Sequence, residues 1–194
     1  MRKVYPLPLS NCLKIVVLSF LLVCAHLSVV GQAYLGRISC PTTVNMRNGP
    51  GKDYDVVKSL KNGTQVFVSS RDDDNGFYNV IDIRTNREGY VHKSFIRLGQ
   101  IVEARTDGIF NRQGESSSEE SELEVYNRSS KQLTLKLNTA SYSFAPYQRK
   151  TISLPAASYS FRASAPGVIP YIGSDRIDAG GNYSWEFYIV TSYR

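Results

Sequence analysis

Short runs of strand-like alternation, each cut off by Gly, Pro or Asn, constrain this chain more than any other feature. Val44 and Met46 alternate with Asn45 and Arg47, and the run stops at Gly49-Pro50-Gly51, where the glycines and proline force a reversal. Val66 and Val68 alternate after Asn62-Gly63. Tyr78 with Val80, and then Ile81 with Ile83, follow a second turn between Asp72 and Gly76. No helical period competes with these pairs. Short, closely spaced strands with such punctuation predict a small β-barrel.

The chain's second half reads the same way. Leu123 and Val125 alternate, with Asn127 next in the row; Leu133, Leu135 and Leu137 do so cleanly; Ile152 and Leu154 follow Arg149-Lys150. Ala140-Ser141-Tyr142-Ser143-Phe144 recurs as Ala157-Ser158-Tyr159-Ser160-Phe161, which two strands with the same in-and-out pattern explain. A last strand, Tyr183 to Val190, follows the turn Ala179-Gly180-Gly181-Asn182. Roughly seven strands in this length predict a small antiparallel β-sandwich over residues 123–194. Between the halves, Gln113 to Glu124 is rich in Ser and Glu and has almost nothing to bury, so residues 106–122 are expected to be a flexible acidic linker. The first domain is assigned 34–105. Ile101 and Val102 are adjacent rather than alternating, so residues 97–112 read as its fraying exit. The expected fold class is all-β, a barrel followed by a sandwich.

Arg2, Lys3 and Lys14 precede a stretch from Ile15 to Val30 that is apolar apart from Ser19, His26 and Ser28. It is short for a bilayer span, and Gly31-Gln32-Ala33 supplies small residues for a signal peptidase. Residues 1–33 therefore read as a cleaved secretory signal, with an uncleaved anchor or lipidation at Cys24 as alternatives; Val23 stands where lipoprotein processing wants a small residue. The expected location is outside the cytoplasm, periplasmic or extracellular, with no stable membrane span after cleavage. Cys12 and Cys24 leave with the signal, so Cys40 remains alone without a disulfide partner and reads as a small apolar core residue. The formal charge of +6 loses three signal-borne cations and becomes +3. That balance is weak ground for any partner, and export disfavours nucleic acid.

Catalytic chemistry finds little support. After signal removal one histidine, His92, and one cysteine, Cys40, remain, and the second half has neither. That excludes a Cys-His peptidase or a zinc amidase housed there. Asp175, Asp178 and Glu186 leave paired-carboxylate chemistry formally open, but the two aspartates sit in turn-like sequence. Asp72, Asp73 and Asp74 lack the alternating oxygens of a calcium loop, since Phe77 and Tyr78 interrupt the pattern. No enzyme activity, cofactor or metal is expected. Tyrosines are dense in the second half, including Tyr126, Tyr142, Tyr147, Tyr171 and Tyr188 with Trp185; such side chains serve either as core or as flat contact surface.

Four ordered motifs carry a family resemblance. Thr43-Val44-Asn45-Met46-Arg47-Asn48-Gly49-Pro50-Gly51-Lys52-Asp53-Tyr54, the turn Lys61-Asn62-Gly63-Thr64, then Gly76-Phe77-Tyr78-Asn79-Val80, then Gly89-Tyr90-Val91-His92-Lys93-Ser94-Phe95-Ile96 resemble the bacterial Src-homology-3-like domain. The resemblance implies a bacterial binding module rather than an enzyme. It places candidate ligand contacts at Arg47, Tyr78 and Tyr90, and Phe77 stands where the family usually has Trp. It also sets the Asp72 to Asp74 loop beside the ligand groove, where its acidity would favour a cationic group such as a peptide amine. More weakly, Thr151 to Tyr171 resembles the prealbumin-like β-sandwiches attached to secreted bacterial proteins. The function implied is an exported module recognising cell-wall peptidoglycan or another envelope ligand. The alternative is a protein-interaction or structural component of an envelope complex that does not touch the wall.

Overall fold

A computed structural model describes residues 32–116 and 120–190. The expected signal, with Cys12 and Cys24, lies outside the described residues except for Gln32 and Ala33. Ala33 opens the first strand, pairs with Val102 and is buried, so the folded lobe begins at residue 33 rather than after it.

The first lobe is one seven-stranded sheet. Its strands are β1 (Ala33–Ile38), β2 (Thr43–Arg47), β3 (Val56–Lys61), β4 (Gln65–Val68), β5 (Phe77–Asp82), β6 (Arg87–His92) and β7 (Ile96–Val102). They lie in the order β3-β2-β6-β5-β4-β1-β7. Every strand sends at least one side chain into a single cluster: Ile38, Met46, Leu60, Val66, Val80, Val91 and Ile96, joined by Cys40 from the β1–β2 loop. One sheet whose face converges on one cluster is curled into a barrel.

Strand β7 corrects the expected fraying exit. Tyr34 pairs with Ile101 but Gly36 pairs with Leu98, so β7 carries one more residue than β1 across this bulge. The extra residue breaks the period of two. Beyond the bulge Ile101 and Val102 pair regularly with Tyr34 and Ala33 and face opposite sides, Val102 packing against Ala33, Phe67 and Ile81 while Ile101 is exposed.

The second lobe is a sandwich of two four-stranded sheets. Its strands are β8 (Asn111–Glu115), β9 (Ser121–Asn127), β10 (Leu133–Leu137), β11 (Ala140–Phe144), β12 (Arg149–Leu154), β13 (Ala157–Ser164), β14 (Tyr171–Ile177) and β15 (Gly181–Phe187). The orders are β11-β10-β13-β14 and β12-β9-β15-β8. Leu123, Leu133, Leu135, Leu137, Phe144, Phe161 and Trp185 fill the space between them. The repeated pentapeptides form β11 and the start of β13, which flank β10 on opposite sides.

Two expectations about this lobe change. Part of the expected linker is strand β8, paired with β15; all its side chains are exposed, so its backbone hydrogen bonds leave no apolar signature to read. The sandwich is also not wholly antiparallel, because β15 runs parallel to β9, returning beside it over a long connection.

Asn127 occupies an inward position in β9 and is fully buried. Its amide donates to the carbonyls of Lys131, Phe144 and Ala145, and its Oδ1 accepts from the Ser129 amide and hydroxyl. A polar side chain can occupy an apolar row here because each of its groups finds a partner.

The lobes dock directly. Ile172 of β14 packs with Phe67, Ile81 and Ile83 of the barrel. Arg105 donates its amide to Ile172 and accepts from Ser174 at its carbonyl, while Gly167 donates to the Ile83 carbonyl at 2.7 Å. Gly173 allows this approach, since a Cβ there would lie 2.4 Å from the Arg105 carbonyl oxygen and 2.6 Å from the Phe161 ring.

Candidate ligand cleft on the barrel

Strands β2, β6 and β5 are neighbours, and Arg47, Tyr90 and Asn79 are successive cross-strand partners. Partners in an antiparallel row share a face. Val80 and Val91 point into the core, so Phe77, Asn79, Tyr90 and His92 point outward. On this outer face lies a cleft of about 520 Å³, lined by Asn45, Arg47, Lys52, Phe77, His92 and Phe95 among others.

An aromatic row forms its floor. The Phe77 and His92 rings meet edge to face at 5.2 Å, and Phe95 lies 6.2 Å from His92. A single 3-10 turn, Lys93–Phe95, follows β6 and swings Phe95 over the imidazole. His92 caps that turn through Nδ1, which accepts from the Ser94 amide and lies 2.7 Å from the Ser94 hydroxyl. This fixes the ring's orientation, and Phe95 remains 36% exposed beside it.

Arg47 stands at the rim. Its Nη1 donates to the Tyr54 carbonyl at 2.6 Å, spending one of five N–H donors on the Asn48 to Asp55 loop. That loop is packed by its own residues: a Cβ at Gly49 would fall 2.2 Å from the Tyr54 ring, so glycine makes room for the tyrosine.

The acidic loop is occupied with itself. Asp72 accepts from the Ser70 hydroxyl at 2.8 Å, and Asp73 pairs with Lys93 at 2.6 Å while accepting from the Gly76 amide. Hydrogen bonding to Lys93 and then to the Gly76 amide holds the Asp73 carboxyl below its ordinary range. The cations lining the cleft are Arg47 and Lys52, with no carboxylate among the lining residues. Its charge therefore suits an anionic or neutral polar group, not the amine that the loop's sequence suggests.

Of the three contacts expected from sequence, Arg47 lines the cleft and Tyr90 stands beside it on the same face. Tyr78 pairs with Val91, faces the opposite way and packs against the barrel core. Sequence reasoning missed Lys52, His92 and Phe95 as lining residues. His92 was findable, because it lies two residues beyond Tyr90 on the same strand. Among the described residues no three His, Cys, Asp or Glu side chains are grouped to hold a metal, and no helix is long and apolar enough to cross a membrane.

Comparison with known proteins bears on the barrel. No curated protein matches the chain. A solved structure, that of NlpC1 from Trichomonas vaginalis, is 15% identical, with 74% of this chain and 45% of that chain covered and a TM-score of 0.30. This chain thus spans less than half the length of that protein. Residues 42–97 match the family model of the bacterial SH3 domain, from the loop before β2 to the start of β7. The match takes in each motif from Thr43 to Ile96 and every named residue of the cleft, so residues 42–97 of the first lobe are similar to the bacterial SH3 domain.

Proposed function

We propose that this is an exported, non-enzymatic binding protein whose barrel takes a peptidoglycan or other envelope ligand into the cleft between Arg47, His92 and Phe95. One observation carries the reading: the cleft joins an aromatic floor to two cationic side chains within the matched domain. Flat rings suit the apolar face of a sugar or a peptide side chain, and Arg47 with Lys52 suit a carboxylate. Non-enzymatic character is supported by the placement of the two reactive side chains. Cys40 is buried in the barrel core while His92 faces outward, so neither can serve the other as base or nucleophile.

The test is co-sedimentation of residues 32–194 with purified peptidoglycan sacculi at low and moderate salt. Retention that weakens in Arg47→Ala and Phe95→Ala supports the proposal; no retention of the folded wild type overturns it. A second reading, a protein-interaction component of an envelope complex, is favoured by Tyr147, Tyr171 and Tyr188, which are 63%, 37% and 65% exposed on the sandwich. It would be supported by a stable protein partner whose capture depends on those tyrosines.

A further inference from the structure

A groove separate from this cleft runs where the lobes meet. It consists of two depressions, about 810 and 410 Å³, that share Arg37, Gln65 and Ile83. Gly167 lines the first and Ile169 the second, both from the loop between β13 and β14. The hydrogen bond from Gly167 to Ile83 fixes that loop against the barrel, so it closes one side of depressions whose other walls belong to the barrel.

Its charge is one-sided. Arg37, Lys61 and Arg84 line the larger depression, and Arg37 with Arg97 lines the smaller. None of these four makes an ion pair among the described residues, whereas Arg112, Arg128, Arg149, Arg162 and Arg176 each meet a carboxylate. The one carboxylate in the groove, Asp82, is already engaged by Lys58. Arg37 and Arg97 are moreover direct cross-strand partners, and both are exposed. Like charges placed opposite each other destabilise a sheet, and a concave wall focuses their potential.

We infer that this groove binds a linear polyanion carrying repeated phosphate groups, with Arg37, Lys61, Arg84 and Arg97 as its contacts. Guanidinium forks match phosphate oxygens two at a time, and three of the four cations are arginines. Two depressions joined at Arg37 suit an extended chain.

The test is a titration of residues 32–194 with long-chain inorganic polyphosphate over a range of salt. The expected result is binding that weakens steeply with salt, as it must when condensed counterions are released. Arg37→Glu with Arg84→Glu should lower the affinity about ten-fold or more at low salt, while the same charge change at Arg128→Glu with Arg176→Glu should not. Arg37→Gln with Arg97→Gln should weaken binding yet leave the melting temperature unchanged or raised, because it removes the opposed charges. Equal losses in both Glu pairs, unchanged binding in the Gln pair, or capture by phosphatidylglycerol vesicles without any binding of polyphosphate would each overturn the inference. Since this assay does not use sacculi, its failure leaves the reading of the aromatic cleft untouched.

Discussion

Arg162 of β13 donates a hydrogen bond to the Glu88 carboxylate of β6, across the junction of the two lobes. Lys136 of β10 approaches the same carboxylate at 3.9 Å. The Arg162 side chain is 13% exposed and that of Glu88 35%, so the pair is neither fully buried nor freely solvated. Breaking it with Arg162→Ala should cost about 1–3 kcal/mol, between the values for exposed and buried pairs. Ile172, 9% exposed against Phe67, Ile81 and Ile83, should matter more: Ile172→Ala should cost about 2–5 kcal/mol. The apolar contact is thus expected to contribute more to the junction than the ion pair. Urea denaturation of the two variants measures both, and an equal or larger loss for Arg162→Ala would reverse that ranking.

The same carboxylate makes the junction sensitive to acid. Burial acts to raise the Glu88 pKa, but the Arg162 guanidinium outweighs it, helped by Lys136 and Asn79, and the net shift is downward. Asp82 follows the same pattern: burial opposes Lys58, Thr85 and the Arg84 amide, and the carboxyl is held low. With folded pKa values below the unfolded ones, the unfolded chain binds more protons in acid. The stabilisation is then complete above the ordinary carboxylate range and is lost as pH falls below it. Melting temperature should therefore fall on acidification from about pH 5 toward pH 3. Glu88→Gln should be less stable than the wild type near neutrality and should show a flatter acid limb; parallel acid limbs would count against the role of Glu88.

Asn127 offers a sharper test of packing in the sandwich. Asn127→Ala would strip partners from three carbonyl oxygens and from Ser129 at a fully buried position. Each buried polar group left unpaired costs about 1–3 kcal/mol, and the effects overlap, so a loss of about 3 kcal/mol or more is expected. Asn127→Leu, despite its better hydrophobicity, should be no more stable than the alanine variant. Chemical denaturation compares the two directly.

What could be read from the sequence was whatever period two reports. Val44, Met46 and Leu133 to Leu137 announced their strands because one face is more buried than the other; Val66 and Val80 alternate as well, although Phe67 and Ile81 on the opposite face are buried against Ile172. Strand β8 was silent because none of its side chains is buried, and β7 was obscured by the extra residue opposite Leu35. The Asn127 side chain looked like the end of an apolar row, since its hydrogen-bond partners are brought to it only by the fold. At the cleft, the motifs located β2 and β6 but not which side chains line it. Lys52 and Phe95 reach it from a loop and a 3-10 turn, where no periodicity points.

The three residues expected from sequence to contact ligand divide by the face they occupy, and that division can be measured. Tyr78 packs against the barrel core, so Tyr78→Ala should cost about 2–4 kcal/mol and weaken any binding only through loss of folded protein. Arg47→Ala removes an exposed-rim donor to the Tyr54 carbonyl, and Phe95→Ala removes a ring that is 36% exposed. Each should lower the melting temperature little, equivalent to about 1 kcal/mol or less. If sacculi are the ligand, both should reduce retention about ten-fold at low salt, a loss of about 1.4 kcal/mol for one contact. Tyr90→Phe, which keeps the ring on the outer face and deletes only its hydroxyl, should bind as the wild type does if the contact is stacking. Melting curves and sedimentation on the same four proteins separate the roles: a Tyr78→Ala variant that stays folded and loses binding would place the ligand on the inner side of β5 and overturn the assignment of the cleft.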